Sequence, residues 1–279
     1  MTDSLTDLLD RLAREAPAPV ARVAYGQEPQ QFGDLRLPQA ASAHALYPVV
    51  IAIHGGYWRA RYDLGYFGAV CGALAAAGLA SWNIEYRRIG DPGGGWPGTF
   101  EDVAAATDAL RSLAARYPLD LSRVVALGHS AGGQLALWLA ARLRLPRASS
   151  LWQVNPLPLR GVVSLAGVTD LRRAWELRLS EGITSELLGG DPDQVPERYA
   201  SGSPFDLAPL GAPHSLIHGT RDTDVPFELS QRYVERARTL GDDARLVPLE
   251  GLGHFEAVTP STAAWRLVQG EILRLVRGD

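Results

Sequence analysis

One cysteine, Cys71, and one methionine are all the sulfur in this 279-residue chain. A single cysteine excludes an intramolecular disulfide, and the scarcity fits a reducing compartment. Cys71 lies in an Ala/Gly-rich helical run with no partner nearby in sequence, so it reads as a buried structural thiol. No apolar stretch approaches the roughly 18 residues of a membrane span. The N-terminal residues lack an apolar signal core: residues 2–15 mix charges with Leu5, Leu8, Leu9 and Leu12, which is amphipathic helix spacing. These absences lead to the expectation of a cytoplasmic protein with no membrane partner. No long block of one charge sign occurs, and the net charge of −4 offers no basic patch for nucleic acid. The glycine runs at 93–95 and 189–190 lack the endings of phosphate-binding loops. The histidines and aspartates lack zinc spacing. Neither a metal nor another cofactor is expected.

What is present is a regular alternation. Hydrophobic residues make up 46% of the chain, enough for a sizeable core in one domain spanning residues 1–279. The first helix should stop at the Ala/Pro stretch 16–19. Strands are expected at 21–25, 31–37, 47–53, 79–86, 123–127, 161–166, 215–218 and 244–248. Helices are expected at 64–77, 99–117, 131–143, 227–240 and 261–276, with Thr99 and Asp102 spaced almost as a capping box. Strands alternating with helices imply a mostly parallel central sheet with helices on both faces. Residues 170–211 break the rhythm. They are too long for a simple connection and read as a short cap insertion.

The strand at 123–127 runs into Gly128-His129-Ser130-Ala131-Gly132 and then a helix. G-x-S-x-G between strand and helix is the setting of a nucleophile on a tight turn, which makes Ser130 the candidate nucleophile. The helix N-terminus behind it favours developing negative charge. Of the six histidines (44, 54, 129, 214, 218 and 254), only His254 follows every plausible acid in the order Ser, Asp/Glu, His. It sits in a glycine-flexed loop after the last strand and is the candidate base. Asp222 and Asp224 compete as the acid that orients it, with Asp224 alternatively capping the helix that starts near Pro226.

From residue 48 onward the chain resembles single-domain α/β-hydrolases of the kynurenine formamidase and carboxylesterase group. The resemblance rests on His54–Trp58 (HGGYW), Glu85-Tyr86-Arg87, residues 128–133 (GHSAGG), residues 218–226 (HGTRDTDVP) and Gly253-His254-Phe255. It implies an α/β-hydrolase fold and selects Asp222, as the aspartate of DxxVP, over Asp224. It also implies an oxyanion hole from the amides of Gly56, Tyr57 and Ala131, with Tyr57 where many esterases have a third glycine. The prolyl oligopeptidase-type catalytic domains share GHSAGG and HGTxD, which keeps a small exopeptidase or amidase in view.

The expected reaction is hydrolysis of small carboxylic esters through an acyl-enzyme. The specific alternative is an arylformamidase acting on N-formyl aryl amides. A non-catalytic ligand-binding protein on the same fold is disfavoured by the complete set of serine, acid and histidine. Trp58, Tyr86 and Trp175, together with Tyr57 and Trp96, are candidates to line a substrate pocket. Arg59, Arg61, Arg87 and Arg88 follow the same strand ends and offer charge for a substrate carboxylate. The sequence leaves the oligomeric state, a homodimer included, open.

Overall fold

The computed structural model describes residues 4–39 and 45–279; His44 and the first residues of the helix expected at 2–15 lie outside them. In chain order the elements are α1 (Leu5–Glu15), β1 (Ala21–Ala24), β2 (Phe32–Arg36), β3 (Tyr47–Ile53), α2 (Gly68–Ala76), β4 (Ala80–Ile84), α3 (Gly98–Asp108), α4 (Leu110–Ala114), β5 (Leu119–His129), α5 (Ala131–Ala141) and β6 (Gly161–Leu165). They continue with α6 (Leu171–Glu176), α7 (Ile183–Leu188), α8 (Pro196–Gly202), α9 (Pro204–Leu207), β7 (His214–Gly219), α10 (Glu228–Thr239), β8 (Ala244–Leu249) and α11 (Ala263–Arg277).

The strands form one eight-stranded sheet in the order β1-β2-β4-β3-β5-β6-β7-β8. β1 and β2 are antiparallel, β2 joins β4 antiparallel, and every later pairing is parallel. The parallel strands need both faces covered, and their sequences supply apolar residues for both. Along β3, Val49, Ile51 and Ile53 point into a core with α3 and α5, while Val50 and Ala52 point into a second core with α2 and α11. In β5, Val124 and Ala126 join the first layer and Val125 and Leu127 the second, by the same period of two. α5 is buried at every position, so its apolar residues encircle it instead of lying on one stripe. The mostly parallel architecture expected from the alternation is therefore present. Its parallel strands end on one edge, where Ile53, His129, Leu165, Gly219 and Leu249 hand over to loops.

Three local expectations change. The helix expected at 64–77 opens as a short 3₁₀ turn, Gly65–Phe67, before α2. The helix expected at 99–117 is divided into α3 and α4. Thr99 and Asp102 form no capping box. The Thr99 hydroxyl donates to the Arg87 carbonyl at 2.5 Å, and Asp102 accepts two guanidinium bonds from Arg87 at 2.8 and 2.9 Å. Tertiary partners thus outcompete local capping for both side chains. Cys71 is fully buried, and burial pushes its thiol up to about 11, consistent with an inert core residue.

Residues 170–211 fold as α6–α9 between β6 and β7. They are fastened to α5: Gln134 Nε2 donates to the Gly202 carbonyl at 2.8 Å, and Trp138 Nε1 to that of Ser201 at 2.9 Å. α5 is thus both the helix behind Ser130 and the support for this segment. Leu135, fully buried in α5, faces the first core layer. Leu135→Ala should cost about 2–5 kcal/mol through lost burial and the cavity left behind. Urea unfolding should show a lower midpoint with an unchanged slope.

Candidate active site

The residue that ends β5 and the one that begins α5 flank Ser130, so the chain must reverse direction across a single residue. Ser130 takes φ 56° and ψ −121°, a conformation that L-residues avoid. Tertiary bonds hold it there: its amide donates to the Leu165 carbonyl at 2.8 Å, and its own carbonyl accepts from Gly133 at 2.9 Å. Gly132 explains the motif's second glycine, because a Cβ there would run into the carbonyls of Ile53 and His54. Ser130 is 2% exposed and opens onto a cavity of about 160 Å³ that His254 also lines.

His254 Nδ1 donates to Asp222 Oδ2 at 2.6 Å, which leaves Nε2 as the free basic nitrogen. Asp222 is enclosed. Its Oδ1 accepts from the amides of Asp224 and Val225, each at 2.9 Å, and its Oδ2 also faces His218 Nε2 at 3.1 Å. Burial alone would raise the Asp222 pKa, but the hydrogen bonds from His218 and His254 outweigh it and hold the carboxyl well below the ordinary range. His218 Nε2 also meets the Val225 carbonyl at 2.9 Å, so that nitrogen carries the proton and Nδ1 accepts from Ser230 at 2.7 Å. Asp224, the competing acid, does not take this position. Nor does it cap α10, whose preceding residue Phe227 makes no side-chain cap. Asp222, Asp224 and His254 each place one ligand-type atom within 4.8 Å of the others. Any cation there would have to displace the short Asp222–His254 bond.

Gly56, Tyr57 and Trp58 follow β3 with φ 112°, 52° and 55°. Three successive residues of positive φ turn their amides to one side, a concavity suited to an anion. Among the described residues, the amides of Gly56, Tyr57 and Ala131 have no acceptor. A Cβ at Gly56 would collide with Tyr62, so glycine is required there by space as well as by angle. The Tyr57 hydroxyl donates to the Asp224 carbonyl at 2.6 Å and ties this loop to the acid loop.

A second tie passes through residues that sequence reasoning did not single out. The Gly55 amide donates to the Tyr66 hydroxyl at 2.7 Å, and that hydroxyl lies 2.9 Å from His129 Nδ1. His129 Nε2 lies 3.0 Å from the His254 carbonyl. A carbonyl only accepts, so Nε2 carries the proton and Nδ1 accepts from Tyr66. The line of bonds thus has one direction, from the loop after β3 through the Ser130 turn to the loop of His254. Burial, then the nearby His254, hold the His129 pKa well below its ordinary value, which keeps the ring neutral and this tautomer intact.

The expected aromatic substrate contacts are corrected. Trp58 is fully buried and its Nε1 donates to Gln134 at 3.1 Å. Tyr86 is fully buried, stacks on His54 with centroids 4.5 Å apart, and donates to the His54 carbonyl at 2.9 Å. Both support the loop after β3 from below. Trp175 lines a different cavity and donates to Asp191 at 3.1 Å. The walls around Ser130 come instead from Tyr57, Tyr62 and Tyr66, from Leu5 and Leu9 of α1, and from Ser180 in the 170–211 segment. The leucine spacing of α1 was visible in the sequence. Which surface it would cover was not.

With this geometry in view, comparison with known proteins is decisive for the family. The BD-FAE family model matches residues 34–236. The chain belongs to the BD-FAE family. Esterase LipC of Mycobacterium tuberculosis is 30% identical over 246 residues, covering 84% of this chain and 59% of that protein. This BD-FAE chain spans 50 to 59% of the length of the curated relatives it matches. Among solved structures, an inhibited esterase B from Lactobacillus rhamnosis superposes with a TM-score of 0.81 at 23% identity, covering 97% of this chain and 91% of that one. A truncated carbohydrate esterase from gut microbiota gives 0.78 at 22% identity, covering 94% and 98%. These likenesses establish the α/β-hydrolase fold for this BD-FAE member.

Two outcomes follow from the Tyr66–His129 line. Tyr66→Phe strands the Gly55 amide and removes the donor to His129. It should lower kcat about tenfold to a hundredfold with little change in KM, since Gly55 leads into the loop whose free amides could face charge that forms only in a transition state. Steady-state kinetics on any accepted ester reads the split. The second outcome concerns pH. The unfolded His129 ring takes up a proton near its ordinary pKa of about 6.5, whereas the folded ring does so only well below it. Stability from a neutral, buried His129 is therefore full above about pH 6.5 and declines as the pH falls below that value. Replacing His129 by Gln should flatten the fall of the urea midpoint between pH 7 and 5, whatever it does to the midpoint at pH 8.

Proposed function

We propose that this protein is a serine esterase that cleaves small carboxylic esters through an acyl-enzyme, with Ser130 as nucleophile, His254 as base and Asp222 as the acid that orients it. The observation that carries the reading is the placement of Ser130, on its strained turn, in the same cavity wall as a histidine whose Nδ1 is locked to a buried aspartate at 2.6 Å. The esterase names of its relatives agree with it.

In this mechanism His254 Nε2 takes the Ser130 hydroxyl proton as the oxygen attacks the ester carbonyl. The carbonyl oxygen becomes an oxyanion that accepts from the amides of Gly56, Tyr57 and Ala131. The protonated ring then gives its proton to the leaving alcohol. Water, deprotonated by the same nitrogen, releases the acid in a second round. Asp222 stays ionised throughout. It holds the ring in the Nδ1–H tautomer and stabilises the imidazolium. The 170–211 segment acts as a cap, bringing Ser180 to the cavity. The substrate is a small molecule in the cytoplasm; among the described residues no helix is long and apolar enough to cross a membrane.

Hydrolysis of an aryl formamide uses the same groups, with a nitrogen leaving group that must be protonated as it departs. The HGGYW loop supports keeping this second reading. The deciding measurement is the ratio of kcat/KM for N-formylkynurenine to that for 4-nitrophenyl acetate, with Ser130→Ala as the blank. A ratio far below one, with turnover abolished in the blank, is the expected result. A ratio well above one would make the enzyme an arylformamidase. Turnover that survives in Ser130→Ala would remove Ser130 from the mechanism.

A further inference from the structure

Four arginines follow the strand ends near the site, and three are committed to carboxylates. Arg59 lies 3.4 Å from Glu186, Arg87 lies 2.8 Å from Asp102, and Arg88 lies 3.0 Å from Glu85 and 3.3 Å from Asp91. Arg61 differs. Among the described residues it has no carboxylate within 4.0 Å, and its side chain is exposed. Its guanidinium lies over the Tyr62 ring, 4.8 Å from the centroid, and both residues line the cavity that holds Ser130. The Tyr62 ring in turn backs directly onto Gly56 of the oxyanion loop. One aromatic ring therefore separates a free cation from the place where the ester carbonyl would be polarised.

The cavity also has an internal direction. Leu9, Arg61, Tyr62 and Tyr66 are shared with a groove on one side, while Asp224, His254 and Phe255 are shared with a groove on the other. The free cation thus stands at one end and the Asp224 carboxylate at the other. An anionic group on the substrate would be drawn to Arg61 inside the cavity; at the triad end the adjoining groove carries Arg11 as well as Glu256, so the orientation rests on Arg61. Asp10 and Asp63 line the groove beside Arg61, and among the described residues neither carboxylate pairs with it. The stack on Tyr62 restricts the guanidinium, so less freedom is lost when a carboxylate binds.

We propose that Arg61 forms an anion subsite of the Ser130 cavity and that the preferred substrates are esters carrying a carboxylate a few bonds from the scissile carbonyl. This rests on the esterase reading given above. Charge-assisted bonds of this kind support a preference on the order of tenfold in a half-open cavity. It should shrink as salt is raised, because the guanidinium is reached from solvent.

The test compares charged esters with neutral partners of the same shape. 4-Acetoxybenzoate against 4-acetoxybenzamide places the charge on the leaving group. 4-Nitrophenyl hydrogen glutarate against the 4-nitrophenyl ester of glutaric acid monoamide places it on the acyl group. The wild type should favour the anion about tenfold in kcat/KM in at least one pair. Arg61→Ala should bring the anion-to-neutral ratio within that pair to about one, whatever it does to absolute turnover, and Arg61→Lys should restore part of the ratio. Calorimetric titration with 4-hydroxybenzoate and 4-hydroxybenzamide reads the same subsite without turnover. It should show tighter binding of the anion in the wild type alone. No anion preference in the wild type, or a preference that persists in Arg61→Ala, overturns the proposal. Loss of turnover on every ester in the wild type, with the calorimetric difference intact, would instead overturn the esterase reading and leave the anion subsite standing.

Discussion

Three loops meet around Ser130, and each leaves a different strand of the sheet. A hydrogen-bond line from the Gly55 amide through Tyr66 and His129 to the His254 carbonyl holds them in register. Every group in it is buried, so none has water as a substitute partner. The line works only while His129 stays neutral, since a second proton on its ring would leave Tyr66 facing a donor. The fold secures that by burying the ring. The same residue is the second position of the G-x-S-x-G turn, so the turn that carries Ser130 also supports the loop that carries His254.

The line matters because the loops it joins are strained. Tyr57, Trp58 and Ser130 all have positive φ, which costs of order 1–3 kcal/mol at each residue. Such conformations persist only when the surroundings over-determine them. Tyr57 is fixed by its bond to Asp224, Trp58 by burial and by Gln134, and Ser130 by Leu165 and Gly133. Gln134 lies one turn into α5 and also binds the Gly202 carbonyl in the 170–211 segment. One side chain therefore links the loop after β3 to the 170–211 segment. Strain at the site is balanced by ordinary packing and hydrogen bonding a few ångströms away.

This division explains what could be read from the sequence. That Ser130, His254 and Asp222 would be brought to one place was legible because each sits where its neighbours must be glycines or strand residues, and such requirements leave a local trace. The central strands were legible because a strand covered on both faces has to be apolar at successive positions, as β3 is. Tyr66 left no such trace. Its partners Gly55 and His129 lie 11 and 63 positions away, and only the fold brings them together. Trp58 and Tyr86 were misjudged for a related reason. Their positions at strand ends were correct, but a strand end does not say whether a side chain turns up to the cavity or down into the core. For large aromatic rings the apolar area gained on burial favours the core.

The cavity walls follow a different logic from the machinery beneath them. Ser130, His254 and the free amides of Gly56, Tyr57 and Ala131 follow parallel strands whose register is set by the whole sheet. Leu5 and Leu9 come from α1, which packs on α2, and Ser180 from the segment after β6, which is fastened to α5. α1 is secured at its C-terminal half, where Leu12 is buried and Ala16 meets the glycine face of α2 at Gly68. Its N-terminal half extends over the cavity with Leu5 largely exposed. A change in those leucines would therefore alter the space offered to a substrate while disturbing little of the core. The same sheet can keep one reaction while its outer helices revise the substrate, which is why the motifs of this fold speak clearly about chemistry and faintly about specificity.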